Sequence, residues 1–337
     1  MSDNCTVPRG PMSIVLRVLM AGSIVVIAVL LVFRTNQADQ SVEAPAGRGP
    51  LKEEQSFQGY VVRTYIGNED PFDRGSFEIL HRGARVYADD GDPGEWNKFR
   101  IGSLYEDKKT HSLVRIGSDI TGDGRPDLVV SEYTGGANCC HRVHVFEIGD
   151  QFRYIQTIDA LHSDLADFEN VDGDPALELP MVDWTFAYWR AGFLESPAPR
   201  VVLKYDGSRY AMAPNLMRKP PLSQDEFVQV ATEIAASLEA ELAEQREPGN
   251  RLAQRMLDLI YSGNMEQAWE LADLSWPKGD GGKAAFLRDF RSQLATSPFW
   301  DELQAMNGRR SLSSLSVEPP HTGVGADSST AAVMTSQ

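Results

Sequence analysis

The stretch Asp119-Ile-Thr-Gly-Asp123-Gly-Arg-Pro-Asp127-Leu-Val-Val130 turns sharply and then runs straight. Oxygen-bearing side chains stand at loop positions 1, 3, 5 and 9, which are Asp119, Thr121, Asp123 and Asp127. The carbonyl of Arg125 is available at position 7, and Gly124 permits the tight turn at position 6. That donor set suits a hard divalent cation with oxygen ligands, Ca²⁺ above all. Three carboxylates so close in sequence repel one another unless a cation lies between them. The apolar run that begins at Leu128 reads as a buried strand.

An EF-hand is excluded on two grounds. Position 12 is Val130 rather than a bidentate Glu, and the loop leads into a strand rather than a helix. Asp119–Val130 instead resembles the calcium loops of the FG-GAP or VCBS repeat family, known from integrin-α-type β-propeller blades. The resemblance implies that the last Asp closes a calcium site ahead of a buried strand, and that the ion stabilises the fold rather than taking part in a reaction. A second copy follows 51 residues later, in Asn170-Val-Asp172-Gly-Asp174-Pro-Ala-Leu-Glu178-Leu179. It superposes Asn170, Asp172, Asp174 and Glu178 on the four side-chain positions of the first loop. Pro175 replaces the turn glycine and cannot take its positive φ, so this loop either binds metal in a different bend or is degenerate. Two repeats do not close a propeller by themselves.

Working outward, short runs rich in Val, Ile, Tyr and Phe recur between Tyr60 and Ala213. Turn clusters such as Gly91-Asp92-Pro93-Gly94 and Tyr205-Asp206-Gly207-Ser208 separate them. The expected strands are Tyr60–Ile66, Phe77–Leu80, Arg85–Ala88, Leu113–Gly117, Leu128–Glu132, Arg142–Ile148, Phe152–Ile158, Leu177–Val182, Arg200–Tyr205 and Arg209–Met212. With no helices between them they predict an antiparallel β-rich body, propeller-like or sandwich. After Pro220-Pro221 the hydrophobic period changes to that of a helix. Ser223 and Glu226 form a capping box, and Phe227, Val230, Ala231, Ile234, Leu238 and Leu242 share one face. Further helices are expected over Leu252–Ser262, Met265–Leu274 and Lys283–Ala295. The middle pair has a slight likeness to a tetratricopeptide hairpin, but one unit cannot stack into a solenoid. The expected fold class is therefore α+β: a β-rich body followed by a helical C-terminal region.

Val18–Phe33 is an uninterrupted run of 16 apolar or small residues between Arg17 and Arg34. Extended by Ile14–Leu16 it reaches the length of a spanning helix, and it also has the outline of a signal peptide. The expected layout is a tail at 1–10, a transmembrane anchor or signal at 11–34, a polar linker at 35–56, a β-rich domain at 57–215, a helical region at 222–306 and a disordered tail at 307–337. A single-pass membrane location with the body on the extracytoplasmic side follows from the short N-terminal tail. The net charge of −16 argues against nucleic acid as a partner, because phosphate binding needs a positive surface. It favours cations.

Of three cysteines, Cys139 and Cys140 are adjacent, so no disulfide framework staples the fold. They are expected to form a vicinal disulfide or to pack as thiols. His141 and His144 nearby point to opposite faces of a strand and do not make a shared metal site. Trp184, Phe186 and Tyr188 read as one aromatic strand face, core or sugar platform. His162-Ser-Asp164 has the order of a triad but not its geometry. The acidic group Asp164, Asp167, Glu169, Asp172, Asp174 and Asp183 is dense enough for paired-carboxylate chemistry. Three functions are expected in turn: a membrane-anchored calcium-binding interaction module with a protein or glycan ligand; a metal-dependent hydrolase of an envelope phosphate or glycan; and a helical scaffold recruiting a protein partner around Trp269 and Trp276.

Overall fold

In the computed structural model the chain is described over residues 48–67, 74–92, 96–102, 114–136, 139–163, 167–279 and 281–308. The expected tail at 1–10, the anchor or signal at 11–34 and the C-terminal tail beyond 308 lie outside the described residues. No described helix is long and apolar enough to cross a membrane.

The described residues form an α+β structure with three antiparallel sheets followed by helices. The first sheet runs in sequence order through β1 (Leu51–Phe57), β2 (Tyr60–Tyr65), β3 (Ser76–His81) and β4 (Ala84–Asp89). The second does the same with β5 (Lys98–Ile101), β6 (Asp127–Tyr133), β7 (His141–Ile148) and β8 (Phe152–Leu161). In the third, β10 (Arg200–Tyr205) lies between β9 (Leu179–Val182) and β11 (Tyr210–Met212). A short α1 (Pro214–Met217) leads to α2 (Gln224–Ala243), α3 (Asn250–Ile260), α4 (Met265–Ser275), α5 (Lys283–Leu294) and α6 (Trp300–Asn307).

Alternation along β6 explains how the layers stack. Leu128 and Val130 point into a core shared with the first sheet, where Tyr60, Val62, Phe77 and Ile79 meet Phe99, Phe146 and Ile148. Val129, one residue out of phase, points the other way. With Val143, Val145 and Ile158 it joins a larger core made with the third sheet and the helices. The second sheet is thus covered on both faces, and β6 and β7 are buried along nearly their whole length, polar residues included. Burying aromatics such as Phe77 and Phe146 contributes roughly 1.5–3 kcal/mol each. At the N-terminus of α2 the Ser223 hydroxyl accepts from the Glu226 N–H while the Glu226 carboxylate accepts from the Ser223 N–H, completing the capping box.

Several expectations are corrected. The linker does not extend to residue 56, because Leu51–Phe57 is a strand paired with β2. It is an edge strand whose Lys52 and Glu53 reach the Phe99 carbonyl and the Ile101 N–H, so polar composition does not exclude pairing there. Residues 114–117 form a turn rather than the end of a strand. The aromatic segment Asp183–Trp189 is not a strand either. Asp183 accepts from the Thr185 N–H, and Ala187 and Trp189 donate back to Trp184 and Phe186, winding the segment into consecutive turns. Trp184 stacks on Phe193, whereas Phe186 packs on Phe290, so the aromatics do not form one platform.

Candidate metal centre

The Asp119–Asp127 loop is wired by its own carboxylates. Asp119 Oδ1 accepts from the Gly122 N–H at 2.7 Å and Oδ2 from Gly124 at 2.9 Å. Asp123 Oδ1 accepts from the Arg125 N–H at 2.9 Å. Asp127 opens β6 with only 1% of its surface exposed. Its Oδ2 accepts from Ile120 N–H (2.9 Å), Thr121 N–H (3.0 Å) and the Thr121 hydroxyl (3.0 Å). Its other oxygen, Oδ1, is buried and receives no hydrogen bond. Burial, opposed by the bonds from Thr121 and Ile120, pushes the Asp127 carboxyl up to about 6.

The second loop repeats part of this wiring: the Gly124 and Thr121 bonds have no counterpart, but four others do. Asn170 Oδ1 accepts from Gly173 N–H, Asp174 Oδ1 from Ala176 N–H, and Glu178 Oε2 from Val171 N–H. These match the Asp119–Gly122, Asp123–Arg125 and Asp127–Ile120 bonds at the 51-residue offset read from the sequence. The Glu178 N–H donates to the Glu169 carbonyl just as Asp127 N–H donates to Ser118. Gly122 and Gly173 both hold positive φ, +72° and +84°. Pro175, at the place of Gly124, does not adopt one, and the rest of the bend survives. The loops lie side by side: Ile120 O accepts from Leu177 N–H and from the Tyr210 hydroxyl, both at 2.9 Å.

Charge separates the two loops. Asp123 pairs with the exposed Arg125 guanidinium at 2.6 Å, which holds its carboxyl below the usual range. Arg125 also reaches Glu147, itself bound by Arg153. In the second loop the Lys204 ammonium sits 2.6 Å from Asp172, 2.5 Å from Asp174 and 3.0 Å from Glu178. The Glu178 contact is an ion pair outside hydrogen-bonding geometry, since Glu178 Oε1 receives no hydrogen bond. Asp172, Asp174 and Glu178 bring one oxygen each within 4.8 Å of one another, and among the described residues no other group of three His, Cys, Asp or Glu does so. The carboxylates of Asp119, Asp123 and Asp127 are not gathered that tightly.

Whether the first loop fits a cation turns on the buried Asp127 oxygen. A desolvated carboxylate oxygen facing no donor is costly unless a positive charge meets it, and Ca²⁺ is the cation its neighbours suit. On the same carboxylate, Thr121 Oγ1 links the other oxygen, Oδ2, at 3.0 Å to Asp119 Oδ1 at 3.4 Å. To join them at a cation, Asp123 would have to leave its ion pair with the exposed Arg125 guanidinium, at little cost.

The remaining candidates are dispersed. Cys139 and Cys140 lie in sulfur–sulfur contact just before β7. His141 packs on Tyr133, while His144 faces Phe77 and meets buried Glu132 at 2.8 Å, on the opposite face. Asp164 lies outside the described residues. Asp183 is buried, and its two oxygens accept from Thr185, Tyr261 and Ser297. A cavity of about 400 Å³ between the third sheet and the helices is lined by Val202, Leu216, Leu259 and Tyr261, with Lys219 and Arg255 beside them; neither Asp127 nor Asp183 lines it. Trp276 packs on Phe286, and Trp269 on Phe290.

No family model matches the chain. A curated protein of Sinorhizobium fredii (strain NBRC 101917 / NGR234), described as "Uncharacterized protein y4bJ", is 34% identical to it over 87 residues. That match covers 25% of this chain and 13% of the relative, so the chain spans a small part of the relative's length. No solved structure matches.

Proposed function

We propose that this chain is a calcium-stabilised interaction module of the FG-GAP or VCBS type, held at a membrane through residues 11–34 with its body on the extracytoplasmic side. In this reading the stacked first and second sheets form a sandwich rather than propeller blades. Ca²⁺ is held by Asp119, Thr121, Asp123, the Arg125 carbonyl and Asp127, and it pins the start of β6 to the turn before it. The observation that carries the reading is the fully desolvated Asp127 Oδ1 without a donor, at the ninth position of a loop whose other ligand positions carry oxygen. Extracytoplasmic calcium is millimolar, which suits loop affinities of roughly 10⁻⁴–10⁻³ M. The expected ligand of the module is a protein or a glycan.

Isothermal titration of the purified chain with CaCl₂ tests this. Binding that is lost in Asp123→Ala and in Asp127→Asn supports the assignment, and binding unchanged in both variants overturns it. The hydrolase reading has less support, because Asp183 spends both oxygens on hydrogen bonds and the cavity between the third sheet and the helices includes neither Asp183 nor Asp127 in its wall. The scaffold reading has less support, since both indoles pack against the phenylalanines of α5.

A further inference from the structure

The two loops share the four bonds matched above and differ in what stands opposite their ninth position. Across the β6–β7 ladder Asp127 is paired with Glu147. In the β9–β10 ladder the last pair is Leu179 with Leu203, so the next position sets Glu178 beside Lys204. One repeat therefore carries a carboxylate where the other carries an ammonium. That ammonium lies 2.5–3.0 Å from three carboxylates, on the side of the loop where the aligned first-loop positions would face a metal ion. We propose that the second loop is a latent calcium site whose resident cation is the tethered Lys204 ammonium, so that the chain binds one calcium ion through its first loop and acquires a second site only when Lys204 is removed.

Size and charge both support the substitution. Calcium–oxygen distances run about 2.3–2.6 Å, so the carboxylates around Lys204 need move inward by only a few tenths of an ångström to coordinate the ion. Glu178 is fully buried, and its Oε1 receives no hydrogen bond, so the ammonium is what compensates it. Asp172, Asp174 and Glu178 with the side-chain oxygen of Asn170 reproduce the side-chain ligand count of the first loop. The lysine is a fixed, concentration-independent cation, so this loop stays closed when calcium is scarce.

The test is calcium stoichiometry by isothermal titration on the intact chain, with calcium as the sole probe. The wild type is expected to bind one ion and Lys204→Met two. If the wild type binds two, or folded Lys204→Met still binds one, the proposal is overturned. If the wild type binds none and Lys204→Met binds one, the latent second site is supported while the calcium reading of the first loop fails. Should Lys204→Met not fold in EDTA, calcium-induced folding followed by circular dichroism counts as the gained site. A protein unfolded with and without calcium is replaced by Lys204→Gln, read in the same way. Independently, Asp172→Asn with Lys204 in place must leave the stoichiometry unchanged, and a fall by one ion overturns the proposal.

Discussion

Asp183 ties the β-rich part of the chain to the helices, and its removal should be costly. Its Oδ1 accepts from the Thr185 N–H at 2.8 Å and hydroxyl at 2.6 Å; its Oδ2 accepts from the Tyr261 hydroxyl at 2.5 Å and the Ser297 hydroxyl at 2.6 Å. Tyr261 follows α3 and Ser297 lies between α5 and α6, so a single carboxylate joins three distant segments. In Asp183→Ala two buried hydroxyls lose a charged acceptor. They lie 3.4 Å apart and recover only a weak bond with each other. At about 1–3 kcal/mol for each abandoned donor, the expected loss is about 3–5 kcal/mol. Urea unfolding followed by tryptophan fluorescence measures it. A double-mutant cycle with Tyr261→Phe should give a coupling of about 1–3 kcal/mol, since the two side chains share one hydrogen bond. A loss below about 1 kcal/mol for Asp183→Ala, or simple additivity with Tyr261→Phe, would refute the view that this carboxylate is a structural tie.

Three further outcomes follow from the paired loops. Because the folded-state pKa of Asp127 is raised to about 6, its carboxyl favours the protonated folded state. Calcium-free protein should therefore lose stability as pH rises from about 4 to about 6, on the order of 2–3 kcal/mol, and Asp127→Asn should flatten that slope in chemical denaturation. Calcium requires the ionised carboxylate, so the calcium-induced rise in melting temperature should be larger at pH 7.5 than at pH 5, and an equal rise at both would count against Asp127 as a ligand. Gly122→Ala should destabilise by about 1–3 kcal/mol in thermal unfolding, because φ is +72° and a Cβ would stand 2.6 Å from the Ala176 nitrogen. An unchanged melting temperature would show that the two loops do not pack as described.

The loops were legible in the sequence because their chemistry sits at fixed offsets along one short segment, and the 51-residue repeat needed no tertiary information. The change of period at Pro220-Pro221 and the Ser223 capping box were legible for the same local reason. Lys204 was not. It enters the second loop from a neighbouring strand, and only the β9–β10 register brings it there. β1 escaped notice because an edge strand pairs through its backbone and buries little apolar surface. The segment Asp183–Trp189 misled because alternating aromatics mimic a strand, whereas the Asx turn at Asp183 decides its path. α6 escaped because Trp300–Asn307 is short and carries no side-chain cap.

The most direct measurement is the melting temperature of the purified chain in EDTA, in 1 mM CaCl₂ and in 1 mM MgCl₂. With a dissociation constant on the order of 10⁻⁴ M, calcium adds about 1.4 kcal/mol to the folded state, or about 2–3 °C for a protein of this size. The account predicts that rise with calcium and a much smaller one with magnesium, which gives up its water reluctantly. Identical melting temperatures in all three solutions would contradict it.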